Sequence, residues 1–85
     1  MTREKRKING TTVCVTVVER EQDRIEYNFS LGFLTVYTKT AEGVWLQSEH
    51  YSRYENAKRY RLACDAARLW RDGKVKDLGS SLFGV

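Results

Sequence analysis

The sequence predicts an α+β domain: a three-stranded antiparallel meander, four-stranded in the alternative, followed by one long helix packed on the sheet in the order β-β-β-α. Three observations predict it. Residues 11–49 alternate apolar and polar side chains in short runs separated by polar or glycine-containing turns. Residues 52–73 carry a helix start signal, an apolar stripe at helical spacing and a closing glycine. Proline is absent from all 85 residues, which fits tight hairpins better than long loops.

The elements follow in order. Met1–Gly10 reads as a basic flexible arm, Arg3-Glu4-Lys5-Arg6-Lys7, with only Ile8 apolar ahead of Asn9-Gly10. Such an arm is either a solvated terminus or a segment that follows a phosphate backbone. Thr11–Arg20 is rich in β-branched residues, with Val13, Val15 and Val17 on one face, and reads as a strand. Glu21-Gln22-Asp23-Arg24 is a polar turn. Ile25, Tyr27, Phe29 and Leu31 then alternate with Glu26, Asn28 and Ser30, the period of a half-buried strand.

Gly32 interrupts this run before Phe33–Thr38 resumes it. The pattern reads as one long strand bent at Gly32, with a tight turn there as the alternative. Lys39–Gly43 is a hairpin loop and Val44–Glu49 the returning strand. Ser52-Arg53-Tyr54-Glu55 matches a capping box, and Gly73 sits where a left-handed residue closes a helix. The organisation is therefore an arm over 1–10, a single domain over 11–74 and a C-terminal tail over 75–85.

On the helix, Tyr60, Ala63, Cys64, Ala67 and Trp70 fall on one stripe, and Leu62, Ala66 and Leu69 widen it beyond what one sheet covers. The excess strip is expected to meet the Leu82-Phe83 tail or a second copy in a homodimer through the helix. The opposite face offers Arg61–Asp65 and Arg68–Asp72 as pairs one turn apart.

Charge divides the chain. Residues 1–50 carry seven Lys/Arg against seven Asp/Glu, while residues 51–85 carry eight against four, so the net +4 belongs to the helix half. A basic surplus points to nucleic acid or an acidic protein surface. The candidate binding residues are Arg3, Lys5, Arg6, Lys7, Arg53, Tyr54, Lys58, Arg59, Arg71 and Lys74. Tyr51, Tyr54 and Tyr60 interleave with Arg53, Lys58, Arg59 and Arg61, a mixture suited to base stacking or to a protein interface.

Other functions find no residues to carry them. There is no glycine-rich phosphate loop, no Cys/His cluster and no zinc-type helix, so neither a metal nor a cofactor is expected. His50 is the one histidine, and Glu49 beside it points to the other face of a strand. Cys64 lacks a positioned base, and Cys14 and Cys64 read as reduced, buried small residues. The chain is expected to be non-catalytic. No apolar run reaches the roughly 18 residues of a membrane span, and the N-terminus is not a secretory signal, so a cytoplasmic location is expected.

Two resemblances bear on partners. Trp45, Tyr51, Glu55-Asn56-Ala57, Tyr60 and Ala63, spaced across about residues 11–72, resemble the three-stranded-sheet-plus-helix DNA-binding fold. That layout is shared by a class of plant transcription-factor domains and the amino-terminal arm-binding domains of phage integrases. It implies DNA contact by the sheet, although here the strands carry Glu19, Glu26 and Glu49 with few basic residues. In composition the chain also resembles small phage accessory proteins of the anti-CRISPR type. That likeness implies an inhibitor or adaptor that binds a host protein complex.

Overall fold

Asn9 and Gly10 both adopt left-handed backbone conformations, with φ of 51° and 80°. Two such residues in succession are what a two-residue hairpin loop requires. The computed structural model describes residues 2–74, and its first element is the strand this loop creates. β1 (Thr2–Ile8) runs antiparallel to β2 (Thr11–Arg20), paired from Ile8 with Thr11 out to Thr2 with Val17. The segment expected to be a flexible arm is therefore an edge strand of the sheet. Its charges alternate face by face along the strand, so a run of cations and one carboxylate is compatible with pairing.

β3 (Asp23–Asn28), β4 (Phe33–Lys39) and β5 (Trp45–Ser52) complete a five-stranded antiparallel meander in the order β1-β2-β3-β4-β5. The class is α+β as expected, with five strands where three or four were predicted. One of the extra strands is β1. The other comes from Gly32, where the chain turns instead of bending. Asn28 Oδ1 accepts from the Leu31 N–H at 2.9 Å, the Gly32 N–H donates to the Asn28 carbonyl at 2.9 Å, and Gly32 has φ 75°. A β-carbon on Gly32 would come within 2.5 Å of Arg53 Nε. Glycine is thus required twice over, by backbone conformation and by the packed guanidinium.

The pairing of β4 with β5 slips at Val36/Tyr37: Val36 faces Glu49, and Tyr37 faces Gln47. Ser48 is the extra residue, and its hydroxyl donates to the Val36 carbonyl at 3.2 Å. This bulge sets Gln47 beside Tyr37 on the helix-free face.

α1 spans Ala57–Arg71 and begins later than the capping box suggests. Asn56 is the N-cap, its side chain accepting from the Arg59 N–H at 3.1 Å. Ser52 is held in the sheet opposite Phe33, so it cannot open the helix. Its carbonyl accepts from the Glu55 and Asn56 N–H groups at 3.2 and 3.0 Å, making the turn between strand and helix. Fifteen residues give a helix of about 22 Å, shorter than predicted by a turn or more. Its end is as predicted: Gly73 has φ 75°, its N–H donates to the Trp70 carbonyl at 3.1 Å, and the Lys74 N–H donates to Leu69 at 2.9 Å.

One face of the sheet is closed by this helix. Val18, Ile25, Tyr27, Leu34, Val36 and Tyr51 meet Ala63, Cys64, Ala67 and Trp70 in a single core, and Tyr60 packs against it. Trp70 is 1% exposed, with the Arg20 guanidinium 4.5 Å from its ring centre. The predicted stripe is the buried one, but the strip beside it divides: Ala66 is buried while Leu62 and Leu69 are exposed. Leu82 and Phe83, expected as a cover for that strip, lie outside the described residues.

The other face buries Val15 and Val17 without any helix. Arg6 of β1 reaches Glu26 of β3 at 2.8 Å, and Arg24 of β3 reaches Glu4 of β1 at 2.8 Å. Both pairs cross β2, and Arg6–Glu4 and Arg24–Glu26 (2.9 Å) join them into one network. The valines lie beneath these charged straps.

Candidate functional site

The register of β1 separates its cations. Arg3, Lys5 and Lys7 stand opposite Thr16, Cys14 and Thr12, on the face that carries the helix. Glu4 and Arg6 stand opposite Val15 and Val13, on the helix-free face. The core under α1 takes only Val18 from β2 and nothing from β1. A ledge of sheet is left uncovered, floored by exposed Thr12 and Cys14 and half-buried Thr16, with Arg3, Lys5 and Lys7 exposed along its edge.

The helix supplies the ledge's second wall. Arg71 Nη1 donates to the Tyr27 hydroxyl at 3.4 Å, and Tyr27 is in register with Thr16, itself in register with Arg3. Arg68 stacks 5.1 Å over the Phe29 ring. Asp65 pairs with Arg68 at 3.6 Å and Asp72 with Arg71 at 3.1 Å, so the pairs differ from those expected one turn apart. Among the described residues no carboxylate stands on the strand side of the ledge, because the acidic residue of β1, Glu4, faces the other way.

The remaining predicted residues are not gathered there. Arg6 is held by Glu4 and Glu26, whose hydrogen bonds raise its already high pKa. Arg53 clamps the β3–β4 turn, donating to the Ser30 carbonyl at 3.2 Å and to the Tyr54 hydroxyl at 3.0 Å. Tyr54 is 76% exposed beneath that guanidinium. Arg59 lies over the buried Tyr51 ring and 4.0 Å from Glu49. Lys58 is exposed on the first turn of the helix, and Lys74 is exposed just past its end. Of the ten candidates, Arg3, Lys5, Lys7 and Arg71 share one surface.

Sequence reasoning missed Arg68 and the Thr12/Cys14/Thr16 floor. The signal that would have found the floor is Asn9-Gly10, the strongest short hairpin dipeptide, flanked by alternating residues on both sides, whereas Arg68 is placed only by its tertiary contact with Phe29. Cys14 is exposed, not buried as expected, because the helix stops short of β2's first half.

On the helix-free face lies an open cup of about 630 Å³, bounded by β1, β4, β5 and the β3–β4 turn. Phe33, Thr35, Tyr37, Gln47 and His50 line its β4–β5 side. Thr35 Oγ1 and His50 Nδ1 are 2.9 Å apart. Burial, then the nearby Glu26 carboxylate, raises the Tyr37 hydroxyl above its ordinary value.

Burial raises the Cys64 thiol, and burial followed by the neighbouring Cys64 pushes the Tyr60 hydroxyl up to about 12. Among the described residues, no group of three or more His, Cys, Asp or Glu side chains could hold a metal ion, and no helix is long and apolar enough to cross a membrane. Compared with models of known protein families, with curated proteins and with solved structures, the chain matches none.

Proposed function

We propose that this chain is a small non-catalytic, cytoplasmic module that binds nucleic acid through phosphate contacts on the basic ledge, with Arg3, Lys5 and Lys7 on the strand side and Arg68 and Arg71 on the helix side. One observation carries the reading. The alternation of β1 places three cations in a row on one face and sends the strand's carboxylate to the other. Cations two residues apart on a strand are about 6.8 Å apart, comparable to successive phosphates along one backbone. A paired strand also holds them in place, whereas a mobile arm would lose entropy on binding.

Binding of this kind weakens with salt, log affinity falling by about 0.9 per phosphate neutralised for each unit of log salt on duplex DNA. The test is fluorescence anisotropy with a labelled duplex and a labelled single strand at about 50 mM salt. Lys5→Glu together with Lys7→Glu should weaken binding by roughly tenfold or more and make the salt slope shallower. Failure of both probes to bind the wild-type chain rejects the reading.

A second reading is favoured by a different region. Tyr54 stands exposed under Arg53, and Leu62 and Leu69 are exposed on the helix. Aromatic, arginine and aliphatic side chains of this kind suit a protein partner, as in an inhibitor or adaptor of the phage type, or a homodimer through the helix. Pull-down before and after nuclease treatment separates the classes, since a protein partner stays bound in stoichiometric amount after nuclease.

A further inference from the structure

The cup on the helix-free face has no role in the ledge contact. We propose that it accepts one unstacked base of a single strand whose phosphates lie on β1. The inference rests on the nucleic-acid reading above and deepens it by naming the single strand as the preferred form.

β1 is an edge strand, so a polymer crossing it meets Lys5 on the ledge face, Lys7 at the rim shared with the cup, and Arg6 and the cup on the other face. On the β1 side of the cup Arg6 is engaged by Glu4 and Glu26, and Lys7 stands at the rim. Lys7 at the rim is placed to hold a phosphate, while the occupant beyond it meets aromatic and neutral polar groups on the β4–β5 side. The half-buried rings of Phe33 and Tyr37 offer aromatic surface. Thr35, Gln47 and His50 offer hydrogen-bonding groups at the same side.

The bulge at Ser48 is what brings the Gln47 amide, both donor and acceptor, beside Tyr37. His50 has Nδ1 engaged by Thr35, which leaves Nε2 for a ligand. A flat group with a polar rim fits that combination, and a base has both. In a duplex its faces are stacked and its pairing edge is occupied; only an unstacked base presents both to a cup.

The test compares a labelled oligothymidylate of about ten nucleotides with a duplex of the same length at one salt concentration. It uses the wild-type chain, Gln47→Ala and His50→Ala, two exposed positions whose folding is checked by circular dichroism. The wild-type chain should prefer the single strand by about tenfold. Each variant should lose roughly three- to tenfold on the single strand and nothing on the duplex. Equal affinities for the two forms with no effect of either variant overturn the cup and leave the phosphate ledge standing.

Titration with thymidine 5′-monophosphate, followed by NMR at the Gln47 side-chain amide and the His50 ring, reads the cup without the polymer. If neither polymer binds, the ledge reading fails. Shifts confined to these groups then still support a base site, and their absence overturns it.

Discussion

The two faces of this sheet bury their side chains by different means. Under α1, aliphatic and aromatic residues of β2 to β5 meet small residues and Trp70 of the helix, an ordinary apolar core. On the helix-free face, Val15 and Val17 are buried to much the same degree as the residues under the helix, yet what crosses above them is charged. The described residues contain one helix, and it covers one face. The other is roofed by guanidinium–carboxylate straps whose inner group, Glu26, is 6% exposed while the outer heads of Arg6 and Glu4 stay wet. The wet heads limit the desolvation cost that makes deeply buried ion pairs unfavourable.

The largest test of this contrast is on the helix side. Trp70→Ala removes the largest fully buried side chain and the ring over which Arg20 lies. The expected loss is about 3–5 kcal/mol, a large part of the stability of so small a domain. Urea denaturation followed by far-UV circular dichroism measures it. A loss under about 1 kcal/mol would mean that α1 is not the main closure of that face.

Next comes the strapped face. Glu26→Ala leaves Arg6 and Arg24 without their shared carboxylate and opens a path for water toward Val17, its register partner. The expected cost is about 2–3 kcal/mol by the same denaturation measurement. Glu26→Gln keeps the shape and some of the hydrogen bonding and should cost less. Equal stability of Glu26→Ala and the wild-type chain would show that the valines need no roof.

The contrast also explains which parts of the molecule were legible in the sequence. The helix stripe was readable because Tyr60, Ala63, Cys64, Ala67 and Trp70 repeat at a period only a helix has, and Gly73 has few other uses. The start of the helix was not, because Ser52 offered a sound local cap while its pairing opposite Phe33, a contact nineteen residues away in sequence, decided otherwise. β1 was marked only by the Asn9-Gly10 turn that follows it, not by its own residues. Its stabilising partners are Val13, Val15 and Glu26 across the sheet, so a charged run with one apolar residue has no core signature of its own. For the site, residue type pointed to Arg3, Lys5 and Lys7, but their separation from Arg6 needed the register. The cup needed the bulge at Ser48, for which the sequence carries no local mark.

The smallest expected effect concerns the outer end of the straps. The Glu4 carboxyl is held below its ordinary range first by its hydrogen bond from Arg6, against a smaller opposing effect of burial and with help from Arg24. A carboxyl whose pKa is lower in the folded chain stabilises it at pH values above the unfolded pKa, about 4.3, and that stabilisation is lost as pH falls through the lowered folded value. The wild-type melting temperature should therefore drop as acid is added below about pH 4.5. Glu4→Gln should cost only about 0.5 kcal/mol near neutral pH, the size of a solvent-screened ion pair, since the side chain is 39% exposed. Its acid limb should be flatter than that of the wild-type chain, because one of the groups that must be protonated is gone. Thermal melts from neutral to strongly acid pH compare the two. Superimposable acid limbs would mean that the outer charges lie over the valines without holding them, leaving Glu26 as the one carboxylate that secures the face.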